Sequence, residues 1–128
     1  MAKSDLPREA RQELDYHRLV STLDMIDGEP VIVRLASREA DNESTAGVAS
    51  IVGELRQVPP RYEGHEFSIG RRYPDRNREH LGGGVLFITE KTFESAELWT
   101  FDGNDYFSIS IKTRCLEILV SDCDSTYP

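Results

Sequence analysis

The stretch "DGEPVIVRL", residues 27–35, divides the chain into two periods. Before it, Tyr16, Leu19, Val20, Leu23 and Ile26 fall at i, i+3, i+4, i+7 and i+10, a single helical stripe. Within it, Val31, Val33 and Leu35 alternate with Ile32, Arg34 and Ala36, the two-residue period of a strand. Gly28 can take the left-handed conformation that ends a helix, and Pro30 cannot continue one. A helix followed by strands is the first expectation.

Toward the N-terminus, Ser4 or Asp5 can cap the helix, Pro7 suits its first turn, and Glu9 favours the positive end of its dipole. Arg8, Glu9, Arg11, Gln12 and Glu13 offer little apolar face. Residues 1–12 are therefore expected to be frayed and 13–26 helical, ahead of a β domain over 30–121 and a tail over 122–128. The whole chain is expected to be a single domain, since 128 residues suit one core and not two.

Toward the C-terminus, residues 37–46 read as a polar loop and Val48 to Val58 as a strand. Gly53 inside that strand marks a bulge or a close backbone approach. Pro59 and Pro60 end it, and Glu66 to Arg72 makes a short strand before the polar stretch "YPDRNREHLGGG". Val85 to Thr89 is apolar on both faces, the pattern of a central strand. "TEKTFESAE", residues 89–97, fits a helical turn or a bulged strand. Asp102-Gly103-Asn104-Asp105 between Glu97–Phe101 and Tyr106–Lys112 is the strongest hairpin signal in the chain. Arg114 to Ser121 is the last strand.

A helix and five to seven short strands, with turn signals every ten residues or so, predict an α+β, mainly β fold. It would be a small antiparallel barrel or a strongly bent sheet, with the helix plugging one end or covering one face. The order of helix, "GEPVIVRL", loop and "GVASIVGEL" resembles the start of an Sm-like or SH3-like barrel. The Asp-x-x-x-Asn segment and later Arg-Gly with which Sm proteins contact RNA have no counterpart here, so this resemblance implies a fold and no function.

The formal charge is −8, with twelve Arg and three Lys on the basic side. Such a balance favours solubility and disfavours general nucleic-acid or anionic-membrane binding, while it can attract a basic protein. No run reaches the roughly 20 apolar residues of a membrane span, and the first residues lack a signal-peptide core. A cytoplasmic setting is the default expectation. Cys115, in an apolar run, and Cys123, in a polar one, then read as two ordinary thiols, one of them buried.

Arg34-x-x-x-Arg38 followed by Asn42-x-Ser44-x-x-Gly47 spells both halves of the dinucleotide signature of PilZ domains. In that family the arginine pair precedes the first strand and lies well over a dozen residues ahead of the second half, whereas Arg34 sits inside a strand and three residues separate Arg38 from Asn42. The stretch is read as a solvated hairpin loop. Gly82 to Gly84 lack the lysine of a phosphate-binding loop and open a strand instead of a helix. Arg71, Arg72, Arg76 and Arg78 form a local positive patch able to hold a nucleotide-like anion at a barrel mouth, or simply to pair with Asp75 and Glu79.

His17 lies at the edge of the helical stripe. His65-Glu66 and Glu79-His80 flank one strand and its loop, and could converge as an acid–base site. None of the three histidines matches a metal-binding spacing, Asp102, Asp105, Asp122 and Asp124 lack the calcium-loop pattern, and Ser50 and Ser68 lack a nucleophile elbow. No catalytic residue, metal or cofactor is expected. Trp99, Phe101, Tyr106 and Phe107 bracket the hairpin, and those facing outward, taken as Trp99, Phe101 and Tyr106, are candidates for protein contact.

The leading expectation is thus a non-enzymatic β domain acting by protein–protein contact, with itself or with a basic protein, as an acidic inhibitor such as a toxin's immunity partner does. The alternatives are a small-anion binder using the arginine loop 71–78 and an enzyme built on His65 and His80.

Overall fold

A computed structural model describes residues 2–38, 48–58, 64–70 and 84–123. After a 3-10 turn at Lys3–Asp5, the elements are strand β1 (Arg11–Leu14), helix α1 (Tyr16–Met25) and strands β2 (Pro30–Ser37), β3 (Val48–Val58), β4 (His65–Gly70), β5 (Gly84–Ile88), β6 (Phe93–Phe101), β7 (Tyr106–Thr113) and β8 (Leu116–Asp122). All eight strands join one antiparallel sheet in the order β1-β6-β7-β8-β2-β3-β4-β5. Two meanders, β2 to β5 and β6 to β8, meet where β8 pairs with β2, and β1 extends the second meander at β6.

This sheet corrects the expected architecture. The small barrel or strongly bent sheet of five to seven strands, with its Sm-like or SH3-like beginning, is replaced by an open eight-stranded sheet that is neither closed nor strongly curled. Closure requires the two terminal strands of the order to hydrogen-bond to each other. Here β1 and β5 each end the sheet without such a partner among the described residues. An open sheet has no barrel mouth, and the arginines 71, 72, 76 and 78 expected to line one lie outside the described residues.

The helix is also later and shorter than its sequence pattern. Asp15, rather than Ser4 or Asp5, caps it: the carboxylate accepts from the Arg18 amide at 2.8 Å, satisfying one orphan donor of the first turn. Residues 11–14, read as its polar first turn, form β1 instead, because the ladder on β6 places Arg11 beside Trp99 and Glu13 beside Glu97, with Leu14 facing the core. Gly28 then takes the left-handed turn expected of it (φ +88°), and its amide bonds to the Leu55 carbonyl at 2.7 Å.

Residues 2–10 are held along the β6–β7 hairpin, not frayed. Leu6 is buried, Asn104 Nδ2 donates to the Ser4 and Leu6 carbonyls at 3.0 and 2.9 Å, and Thr100 Oγ1 donates to Pro7 and accepts from the Ala10 amide. The turn itself forms as read, with Phe101 paired to Tyr106 and positive φ at Asp102 and Gly103. The ambiguous residues 89–97 resolve as a threonine-stapled turn followed by β6, with a bulge between Phe93 and Ser95.

One face of the sheet carries the core. Val31, Val33, Leu55, Phe67, Ile69, Leu86, Ile88, Leu98, Phe107, Ile109, Ile111, Ile118 and Val120 form one buried cluster with Leu19, Val20 and Leu23 of α1 and with Ile26 at its C-cap. Gly53 explains itself here: a Cβ would come within 2.5 Å of the Gly70 carbonyl oxygen, so the backbones of β3 and β4 touch where only glycine fits. Val85 to Thr89 departs from its central-strand pattern, since β5 lies at the sheet's edge. Among the described residues no helix is long and apolar enough to cross a membrane.

Candidate protein-contact face

Strand alternation leaves the second face of the sheet without a covering element among the described residues. Its rows can be read from the registers. Arg11, Trp99, Ser108, Ser121, Ile32 and Val52 run side by side across six strands. The next row is Glu13, Glu97, Ser110, Leu119, Arg34 and Ser50. Short hydroxyl side chains at the centre keep this face shallow.

At the β6–β7 end the face becomes aromatic. The Trp99 and Phe101 rings stack with centroids 6.4 Å apart and 19° between their planes. Phe101, 48% exposed, is the cross-strand partner of Tyr106, and the Arg11 guanidinium lies 4.4 Å from the Trp99 ring centroid while its Nε bonds Glu97 at 2.9 Å. The carboxylate orients the guanidinium, and the guanidinium polarises against the ring face. Trp99, Phe101 and Tyr106, singled out in sequence for contact, are thus brought together on one face, while Phe107 points into the core. Arg11 and Glu97 were missed. The only signal was the alternation in Arg11-Gln12-Glu13-Leu14, hidden inside a helical reading. Beside Trp99 opens a groove of about 730 Å³, rimmed by Glu13, Asp15, Glu94 and Glu97 against Arg18 and Lys112.

A second polar cluster lies under the N-terminal end of α1. Tyr16 Oη donates to the Ile88 carbonyl at 3.1 Å and sits 2.8 Å from His65 Nδ1, an arrangement satisfied when His65 carries its proton on Nδ1. Burial, and then the Glu90 carboxylate, push the Tyr16 phenol above its ordinary pKa, the wrong direction for a nucleophile or base. Asp24 is also raised, chiefly by burial, against the pull of His65 and with the push of Asp27; its Oδ1 is buried without a hydrogen-bond partner among the described residues. A shallow cavity of about 540 Å³ opens among Tyr16, His17, Gly64, His65, Glu90 and Lys91. Exposed His17 faces Glu90 at 3.5 Å. The Tyr16 bonds tie α1 to β4 and β5, and no serine or cysteine nucleophile stands among these residues.

The remaining candidates separate. Arg34 is exposed on the open face, whereas Arg38 donates to the Thr113 carbonyl at 2.7 Å and pairs with Glu94 at 3.1 Å, so its guanidinium holds a turn. Asn42, Ser44, Gly47, the arginines 71, 72, 76 and 78, His80, Gly82, Gly83 and Asp124 lie outside the described residues. Asp122 Oδ1 accepts from the Phe107 amide, and Asp102 and Asp105 are turn residues. Ser50 and Ser68 are strand residues of the outer face. Both cysteines are free; Cys115 is exposed in the β7–β8 turn and Cys123 half-buried, so neither is the buried thiol expected.

Among the described residues there is no group of three or more side chains able to hold a metal ion. No family model, curated protein or solved structure matches the chain. The chain is a small mixed α/β domain whose described residues carry neither a metal-binding nor a catalytic motif.

Proposed function

We propose that the chain is a non-catalytic contact domain that assembles with copies of itself and presents the open sheet face as its docking surface. The observation that carries this reading is the aromatic cluster of Trp99, Phe101 and Tyr106 on a face that no described element covers, with Arg11 laid over Trp99. Tryptophan, tyrosine and arginine are the residues most enriched where interfaces concentrate their binding energy. The serines at the centre of the face keep it shallow away from the groove beside Trp99.

Sedimentation velocity from micromolar to near-millimolar protein tests the reading. A species heavier than the monomer that dissociates on dilution supports it; a single monomeric boundary throughout contradicts it. The acidic rim of the groove supports a second reading, a basic protein partner, whose mark is binding to a polycationic column that weakens steeply with salt.

A further inference from the structure

The two edges of the sheet differ in a way that points to how copies meet. Natural sheets protect their edges with charge, proline, bulges or cover, because unpaired backbone amides and carbonyls template further strands. Strand β1 is protected: Arg11 and Glu13 stand on it, and Arg11 is engaged with Glu97 and Trp99. Strand β5, Gly-Val-Leu-Phe-Ile, has no charge and no proline, and among the described residues only β4 pairs with it. Its outward side chains are apolar as well, with Val85 64% and Phe87 44% exposed. The sequence of β5 is that of an interior strand, yet the fold puts it at the rim. That conflict disappears if another strand completes it.

We infer that β5 pairs antiparallel with β5 of a second copy, joining two sheets into one. This rests on the self-assembly reading above but places the seam between copies at the β5 edge, leaving the Trp99 and Phe101 face open for a separate contact. A register with Leu86 opposite its own copy is the one that pairs all five residues of the strand. It sets Val85 against Phe87 of the second copy on the outer face, twice by symmetry, and each is an aromatic–β-branched pair of the kind that stabilises sheets. On the inner face Leu86 meets its counterpart beside each core.

Charge opposes association of two copies, each carrying −8, and opposes it least along a stretch without ionisable groups such as β5. The symmetry is isologous and closes at two, since β1 is too charged to continue a chain of sheets. A five-residue seam is small beside the roughly 1,200 Å² or more of stable interfaces, so the dimer is reversible.

The test compares wild type, Val85→Lys/Phe87→Lys and Trp99→Ala/Phe101→Ser by light scattering, with circular dichroism confirming that each is folded. The seam predicts that the double lysine variant raises the dimer dissociation constant about tenfold or more, through lost apolar pairs and facing charges, while the Trp99/Phe101 variant still dimerises. A wild-type dimer that survives the lysines overturns the seam and leaves self-assembly standing. A wild type that never dimerises overturns both.

Amide exchange on the wild type gives an answer that needs no variant. Protection of residues 84–88 should rise with protein concentration as the edge becomes paired. Concentration-independent exchange of those amides in a protein that does dimerise overturns the inference.

Discussion

Asn104 spans the whole width of the hairpin tip with one amide group. Its Nδ2 donates to the carbonyls of Ser4 and Leu6, so a turn residue anchors a segment about a hundred positions away. Asn104→Ala should cost about 1–2 kcal/mol, the range for losing two such bonds at a half-buried site, and should speed amide exchange across residues 4–10. Unchanged exchange there would show that Leu6 burial alone holds the segment.

Asp24 is the opposite case, a carboxylate the fold tolerates. Its folded pKa lies above the unfolded value, so its favourable contribution is complete below the unfolded value and is lost as pH rises through the folded one. Removing the charge should help at neutral pH: Asp24→Asn is expected to raise the melting temperature at pH 7 and to flatten its dependence on pH in the acid range. A lower melting temperature at pH 7 would mean that the charge is matched by His65. Neither residue's role was legible in the sequence. Both depend on which distant group the fold brings near.

At the scale of elements, the helical stripe from Tyr16 to Ile26, the change of period at Pro30 and the hairpin at 102–105 were all readable, because each is a local pattern with a local cause. β1 was not. Arg11-Gln12-Glu13-Leu14 is too short and too polar to declare a strand alone, and becomes one by pairing with β6. The same polar run fits the first turn of a helix, so the cap was placed too early.

Asp15→Ala should therefore cost about 1 kcal/mol, as loss of an N-cap does, whereas Asp5→Ala should leave α1 untouched. Gly53→Ala should cost about 2 kcal/mol or more, since the added methyl meets the Gly70 backbone and no side chain that could swing aside. Chemical denaturation of each variant measures these differences directly.

For the molecule as a whole, short strands and regular turns describe an open sheet and a barrel equally well. What separates them is whether the terminal strands of the sheet pair with each other, a non-local property that no segment encodes by itself. The unusual apolarity of 85–89 carried the missing information, and was read as burial within one chain. In the open sheet the same residues mark an edge with exposed Val85 and Phe87. Likewise the aromatics at 99–106 were recognisable as contact candidates, while the face that unites them became visible only with the register.

If the domain works by assembling with itself, as proposed, its native mass must rise with concentration. Light scattering across protein concentration, at low and at high salt, should show the mass climbing from 14.5 kDa toward twice that value. The climb should come at lower concentration in high salt, because screening relieves the repulsion between two chains of charge −8. A mass of 14.5 kDa at every concentration and both salts would contradict the account.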